Sequence, residues 1–261
     1  MGIKTKITNK NLPLKYQQYN LIETKDGITD SVYLLDKKYV LKIFENTTKK
    51  QVLNEKILLD NLKDLLVPQL IDIFIFNDKQ CAVYTQIKGK SLTYPTLEHI
   101  KQIGLFLKQF HLKTASLNSQ NINLFDTFTL KKTIVKSSNK ILLKYFKTIN
   151  IQLQNDGIIH GDLFLDNAKF EDDQLTGVYD FSEACNGDFL FDLAVVSLSW
   201  CFDKNKINKK KVNILINSYN DSIKYLQFIE YIKYALLYYA TARYLNGNDH
   251  LSLCKKLEEI I

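Results

Sequence analysis

The sequence predicts a two-lobed α+β fold, with an N-terminal antiparallel sheet plus one helix followed by a larger, mainly helical C-terminal lobe. Three observations predict it. Residues 31–87 contain runs that alternate apolar and polar side chains around short polar breaks; beyond residue 90 the apolar spacing becomes helical; and 261 residues suffice for one substantial core or two smaller lobes.

In chain order, residues 31–35 and 39–44 read as strands flanking Asp36-Lys37-Lys38, a polar break suited to a hairpin turn. Over 48–65 the apolar positions Val52, Ile57, Leu58, Leu62 and Leu65 approximate helical spacing, with Thr47 or Thr48 as N-cap. A second hairpin is predicted over 70–76 and 81–87, joined by Asn77-Asp78-Lys79. The pattern changes near Gly89, which divides the chain into lobes 1–88 and 89–261. Helices are then expected over 96–112, 128–154, 189–202, 212–225 and 230–245, interrupted by one β-rich island over 157–181.

Hydrophobic residues make up 46% and charged residues 24%, with nine Gly and three Pro, which excludes a disordered or fibrous chain. The net charge of +7 comes from Lys scattered among Asn and Ile, a compositional bias that points to no nucleic-acid partner. The densest run, Lys209 to Lys211, reads as a solvated loop or helix start. Cys81, Cys185, Cys201 and Cys254 lie far apart without a C-x-x-C pair, so reduced buried thiols are expected. The N-terminus lacks an apolar stretch and no apolar run is long enough to span a bilayer, so a cytoplasmic protein without a membrane partner is expected. Oligomeric state leaves no mark in the sequence.

The chemistry is concentrated in the island IIHGDLFLDNAKFEDDQLTGVYDF, which contains His160-x-Asp162 and, five residues after the aspartate, Asn167. This is the catalytic-loop pattern of kinases with Gly161 in the Arg position. Chance supplies roughly 0.02 matches to H-x-D-x-x-x-x-N at this composition, so the surrounding pattern has to decide. Residues 168–171 and 175–179 flank Asp172-Asp173-Gln174 and should form a hairpin, with Asn167 at one end and Asp180 at the other. An amide and a carboxylate offer the hard oxygens that magnesium accepts as it bridges nucleotide phosphates. Asp162 can then accept the proton of an attacking hydroxyl. His160 reads as a packed support of this loop, and Asp172 and Asp173 as turn residues.

These residues give the chain its resemblance to the aminoglycoside phosphotransferase and choline kinase superfamily, a protein-kinase-like fold, and particularly to the kinase-fold homoserine kinases. The densest likeness is HGDLFLDNAKFEDDQLTGVYDFSEACNGDFLFDLAVVSLSWCF. The resemblance implies Asp162 as catalytic base, Asn167 and Asp180 as Mg2+ ligands, ATP as co-substrate, and a nucleotide pocket between the lobes. Lys42 in YVLKIF and Glu55 on the following helix supply the ion pair expected against the α- and β-phosphates. Residues 25–31, including Gly27 and Ser31, would cover the phosphates, although only one glycine is present there. Thr85, Gln86 and Ile87 would contact adenine through backbone groups. Asp192 in FDLA reads as a helix cap or a brace for the catalytic loop. Trp200, Arg243 and Tyr244 are candidates for the acceptor site, Arg243 pairing a substrate carboxylate, with packing or an internal ion pair as the competing readings.

A protein kinase would carry His-Arg-Asp, Asp-Phe-Gly and a long segment ending in Ala-Pro-Glu, none of which is present. The acceptor is therefore expected to be a small hydroxyl compound, and the resemblance to homoserine kinases in the ACN and WCF segments implies L-homoserine or a similar amino alcohol. Choline, an aminoglycoside or a sugar is the alternative within the same chemistry. A nucleotide-binding pseudokinase acting on partners is the alternative of another class, disfavoured by the complete Asp162, Asn167 and Asp180 set.

Overall fold

The computed structural model describes residues 2–24 and 29–261, which group into two compact units, Met1–Gly89 with Thr176–Ser182, and Lys90–Leu175 with Glu183–Ile261. The first unit holds β1 (Leu21–Glu23), β2 (Ser31–Leu35), β3 (Tyr39–Ile43), α1 (Lys49–Asn61), β4 (Leu70–Phe76) and β5 (Lys79–Thr85). The strands form one antiparallel sheet in the order β1-β2-β3-β5-β4. Asn77 and Asp78, with φ of 47° and 60°, make the two-residue turn between β4 and β5. These residue types tolerate left-handed backbone best, and two in succession give the turn whose twist matches a hairpin. Lys79 therefore opens β5 instead of closing the turn.

One face of the sheet buries Tyr33, Leu35, Leu41, Ile43, Cys81 and Val83 against Ile7, Leu12 and Tyr16 of the N-terminal segment. That segment is tied down by Ser31, whose Oγ accepts from the Lys4 and Thr5 backbone N–H groups, at 2.8 Å each, and donates to Glu45 at 2.7 Å. Helix α1 starts at Thr48, whose hydroxyl accepts from the Gln51 N–H at 3.4 Å. Its buried face is Val52, Glu55, Leu58 and Leu59, whereas Ile57 is 62% exposed. A carboxylate thus occupies an inward position that the apolar pattern assigned to a neighbour.

The second unit contains α2 (Leu97–Thr114), α3 (Thr127–Ser137), α4 (Lys140–Phe146) and β6 (Gly157–Ile159), followed by the hairpin strands β7 (Ala168–Glu171) and β8 (Gln174–Val178), the last of which passes into the first unit from Thr176 on. Asp172 and Asp173 turn that hairpin with φ of 49° and 60°. Next come β9 (Cys185–Gly187), which pairs with β6, then α5 (Phe189–Trp200), the short β10 (Phe202–Asp203) and β11 (Lys206–Ile207), α6 (Lys209–Tyr219), α7 (Tyr225–Leu245) and α8 (Leu251–Glu258). The single helix expected over 128–154 is two helices and an extended tail. Ser138, at φ 56°, ends α3, and the Asn139 side chain caps α4 by accepting from Ile141 and Leu142 at 3.0 and 3.1 Å. Lys209 to Lys211 open α6 behind the N-cap Asn208, and Lys211 pairs with Asp203 at 2.7 Å.

Helix α5 is buried nearly all round and packs on α7, while α2 packs on α6. Gly104 permits the latter approach, since a Cβ there would lie 3.0 Å from the Leu215 carbonyl oxygen and closer still to the Ser218 hydroxyl. All four cysteines are buried and unpaired. Among the described residues no helix is long and apolar enough to cross a membrane.

Candidate active site

In the first unit, Lys42 lies mid-strand on β3 opposite Val32 and Ala82, with its side chain only 13% exposed. Its Nζ lies 2.8 Å from Asp180 Oδ1 and 3.3 Å from Asp30 Oδ2. Burial alone would discharge the lysine, but the carboxylates of Asp180, Glu55 and Asp30 outweigh it and hold the pKa above its ordinary value. Asp180 sits at φ 65°, and Ser182 donates to the same Oδ1 at 2.7 Å.

The direct Lys42–Glu55 ion pair expected from the sequence does not form among the described contacts; Asp180 and Asp30 take that place. Glu55 instead accepts from the Tyr84 hydroxyl at 3.0 Å and takes a backbone hydrogen bond from Phe181. Burial raises its carboxyl pKa to about 7, against the pull of Lys42 and with the push of Asp180. A carboxyl raised in the folded state stabilises the fold most below its unfolded value, and that contribution fades as pH rises towards 7. Between pH 4.5 and 8, wild type should therefore lose up to about 3 kcal/mol relative to Glu55→Gln, read as the difference in denaturant midpoints across pH. A pH-independent difference would contradict the raised value.

The other nucleotide-site expectations fare differently. Gly27 lies outside the described residues. Ser31 is fully buried with its hydroxyl committed to Lys4, Thr5 and Glu45, so its side chain braces the N-terminal segment and has no surface to offer a phosphate. The Thr85 N–H donates to the Gln69 carbonyl at 2.9 Å and the Gln86 N–H to that of Lys38 at 3.1 Å. Those two amides are thus spent on neighbouring chain, and an adenine contact by these residues would fall to other backbone groups. The Gln86 Oε1 is buried without a hydrogen-bond partner among the described residues. Ile87 covers Gly177, where a Cβ would come within 2.6 Å of its side chain.

In the second unit, the loop after β6 presents Asp162 and closes through a 3₁₀ turn, Leu165–Asn167. The Asn167 amide nitrogen donates to the Asp162 backbone oxygen at 2.7 Å and to Asp162 Oδ2 at 3.1 Å. The five-residue spacing therefore brings the two side chains together. Every carbonyl from 161 to 163 has a donor: Tyr239 for Gly161, Phe164 N and Asn167 for Asp162, and the Trp200 indole, at 3.3 Å, for Leu163. His160 is fully buried, and its Nδ1 accepts from the Asp162 N–H at 3.2 Å.

Asp192 ties this loop to the helices. Its Oδ2 accepts from the His160 N–H at 2.8 Å and faces His111 Nε2 at 3.0 Å, while Oδ1 accepts from the Gly161 N–H at 2.8 Å. Burial pushes its pKa up, yet the bond and charge of His111, with His160, bring it below the ordinary carboxylate value. The N-cap of α5 is Asp188, accepting from Leu190 and Phe191, so of the two readings of Asp192 the brace matches its contacts and the cap does not.

Trp200 is wholly buried against Phe170, which makes it a core and loop-anchoring residue with no face for an acceptor. Arg243 donates to the Asp249 carbonyl at 3.4 Å and to Ser252 at 3.5 Å, and Tyr244 stacks edge-on with His250. Both hold the turn between α7 and α8. Sequence reasoning missed Asp30, His111, Ser182 and Tyr239, whose partners lie far along the chain or whose residue types carry no spacing signal. A cavity of about 450 Å³ lined by Asn123, Phe125, Asp126, Asn186, Asp188 and Phe191 contains none of the candidate catalytic, metal, nucleotide or acceptor residues.

Residues 21–206 match the family described as APH, phosphotransferase enzyme family. A homoserine kinase of Methylobacillus flagellatus is 24% identical over 248 residues, covering 84% of this chain and 78% of that protein. A homoserine kinase of Brucella anthropi is 29% identical over 252 residues, covering 84% of this chain and 77% of that one. Among solved structures, the GDP complex of an aminoglycoside 2'-phosphotransferase mutant superposes with a TM-score of 0.65 over 92% of this chain and 90% of its own, at 14% identity, a likeness of fold.

Proposed function

The chain belongs to the phosphotransferase enzyme family of small-molecule kinases, and on that premise we propose that it transfers the γ-phosphoryl group of ATP to the hydroxyl of L-homoserine or a similar amino alcohol. The observation that carries the reading is the Asp162–Asn167 pair on a loop whose backbone is anchored by Asp192, Trp200 and Tyr239. Asp162 acts as base: it accepts the acceptor's hydroxyl proton as the new O–P bond forms and the bond from the γ-phosphorus to its bridging oxygen breaks. Lys42, kept charged by its carboxylate neighbours, takes the α- and β-phosphates.

Asn167 and Asp180 would hold Mg2+. Their donor chemistry fits: both hydrogen bonds from the Asn167 amide nitrogen go to Asp162, which leaves the amide oxygen as its metal-binding atom, and the Asp180 side chain is 34% exposed. When bound, the metal screens the phosphate charges. Purified protein with magnesium and ATP should form ADP in proportion to added homoserine. No turnover of homoserine, with brisk turnover of choline or an aminoglycoside, would sink this acceptor; nucleotide binding without any turnover would favour a binding module.

A further inference from the structure

We propose that Tyr239 is a positioning residue for Asp162, its hydroxyl fixing the peptide plane that joins Gly161 to Asp162. The inference rests on the reading of Asp162 as the base. Gly161 occupies left-handed backbone at φ 76°, and a Cβ at this position would lie 2.7 Å from the ring of Phe125, so glycine is required on both counts. The same freedom makes the adjoining peptide cheap to rotate, and any rotation there changes φ of Asp162 and so redirects its carboxylate.

Two contacts oppose the rotation, one at each end of the peptide. The Asp162 N–H donates to His160 Nδ1 at 3.2 Å, and the Gly161 carbonyl oxygen accepts from the Tyr239 hydroxyl. His160 belongs to the same loop and would move with it; Tyr239 belongs to α7 and provides a fixed reference. Helix α7 also holds Phe125, through a 2.6 Å bond from the Tyr234 hydroxyl to its carbonyl oxygen. One helix therefore supports Gly161 from its carbonyl and, through the Phe125 ring, from its Cα. The Tyr239 ring is itself fixed, edge-on to Phe164 at 4.9 Å and to Tyr238 at 5.2 Å. Burial and the nearby Asp162 charge keep the phenol protonated far above its ordinary pKa, so it serves as a donor and not as a competing base.

Tyr239→Phe removes the hydroxyl and keeps both ring contacts, so the variant retains its packing. With ATP and acceptor saturating, kcat should fall about tenfold, the factor associated with one ordinary hydrogen bond, while both KM values stay within about twofold and the pH profile keeps its shape. In an Asp162→Asn background the same change should add nothing, because the carboxylate that it positions is gone. An unchanged kcat, a loss carried by the acceptor KM, a displaced pH profile, or a full tenfold loss on top of Asp162→Asn would each overturn the proposal. Should wild type prefer another acceptor, the same series is run with that acceptor, and the failure of homoserine leaves the positioning claim standing or falling on its own numbers. Should Asp162→Asn retain full turnover, the base assignment fails and the proposal fails with it.

Discussion

Asp162→Asn is expected to lower turnover by about 10²–10⁴-fold while leaving nucleotide affinity within about twofold, the signature of a lost proton acceptor in a site that still binds. The replacement is isosteric, and its amide oxygen can still accept the 3.1 Å bond from Asn167, so the 3₁₀ turn and the backbone bonds of residues 161–163 have no reason to rearrange. Only the basic oxygen is missing. Steady-state rates at saturating ATP and acceptor, paired with a nucleotide titration, check both halves. Turnover at the wild-type level would remove Asp162 from the chemistry, and a loss of nucleotide affinity equal to the loss of rate would make it a binding residue.

Asp192→Asn should be the most damaging change to stability. Its two oxygens accept from the backbone N–H groups of residues 160 and 161 and face His111, all without exposure to solvent. An amide in that place puts an NH2 group against donors, and the cost of breaking a buried charged network is about 3–5 kcal/mol, or about 10 °C in the thermal midpoint of a chain this size. Turnover should fall as well, because His160 and Gly161, which precede Asp162, lose their anchor to α5. The depressed Asp192 pKa sets the pH direction: its stabilisation is present above the unfolded carboxylate value and is lost as pH falls through the lower folded value. Thermal melts from pH 3 to 7 should show the wild-type advantage over the variant shrinking in acid. A midpoint unchanged at neutral pH would show that the loop does not depend on this carboxylate.

What the sequence made legible was local. Within the His160 to Asn167 motif, the hydrogen bonds that bring Asn167 to Asp162 span five residues. The hairpins at Asn77-Asp78 and Asp172-Asp173 announce themselves by residue types that tolerate positive φ. Legibility failed wherever the partner is distant. Lys42 meets Asp180 across 138 residues and His111 meets Asp192 across 81, and no spacing rule reaches that far. Ile57 was misassigned because a short helix on a small sheet buries a narrow face, so an apolar side chain two places from Glu55 can look outward while that carboxylate looks in. The helix expected over 128–154 broke at Ser138-Asn139, two residues that favour turns and caps over helix interiors, a signal present in the sequence but outweighed by the apolar periodicity on either side.

The unit that carries Lys42 is not one continuous piece of chain. Residues Thr176–Ser182 complete it, with the Val178 N–H reaching the Leu66 carbonyl at 2.8 Å, the Thr176 hydroxyl the Lys88 carbonyl at 2.6 Å, and Asp180 reaching Lys42 itself. A ribosome therefore releases the whole sheet long before it releases the last carboxylate that this lysine faces. During that interval, among the described residues, Asp30 and Glu55 are the carboxylates that offset its burial, so the nascent domain lacks part of its charge balance until translation has passed residue 180.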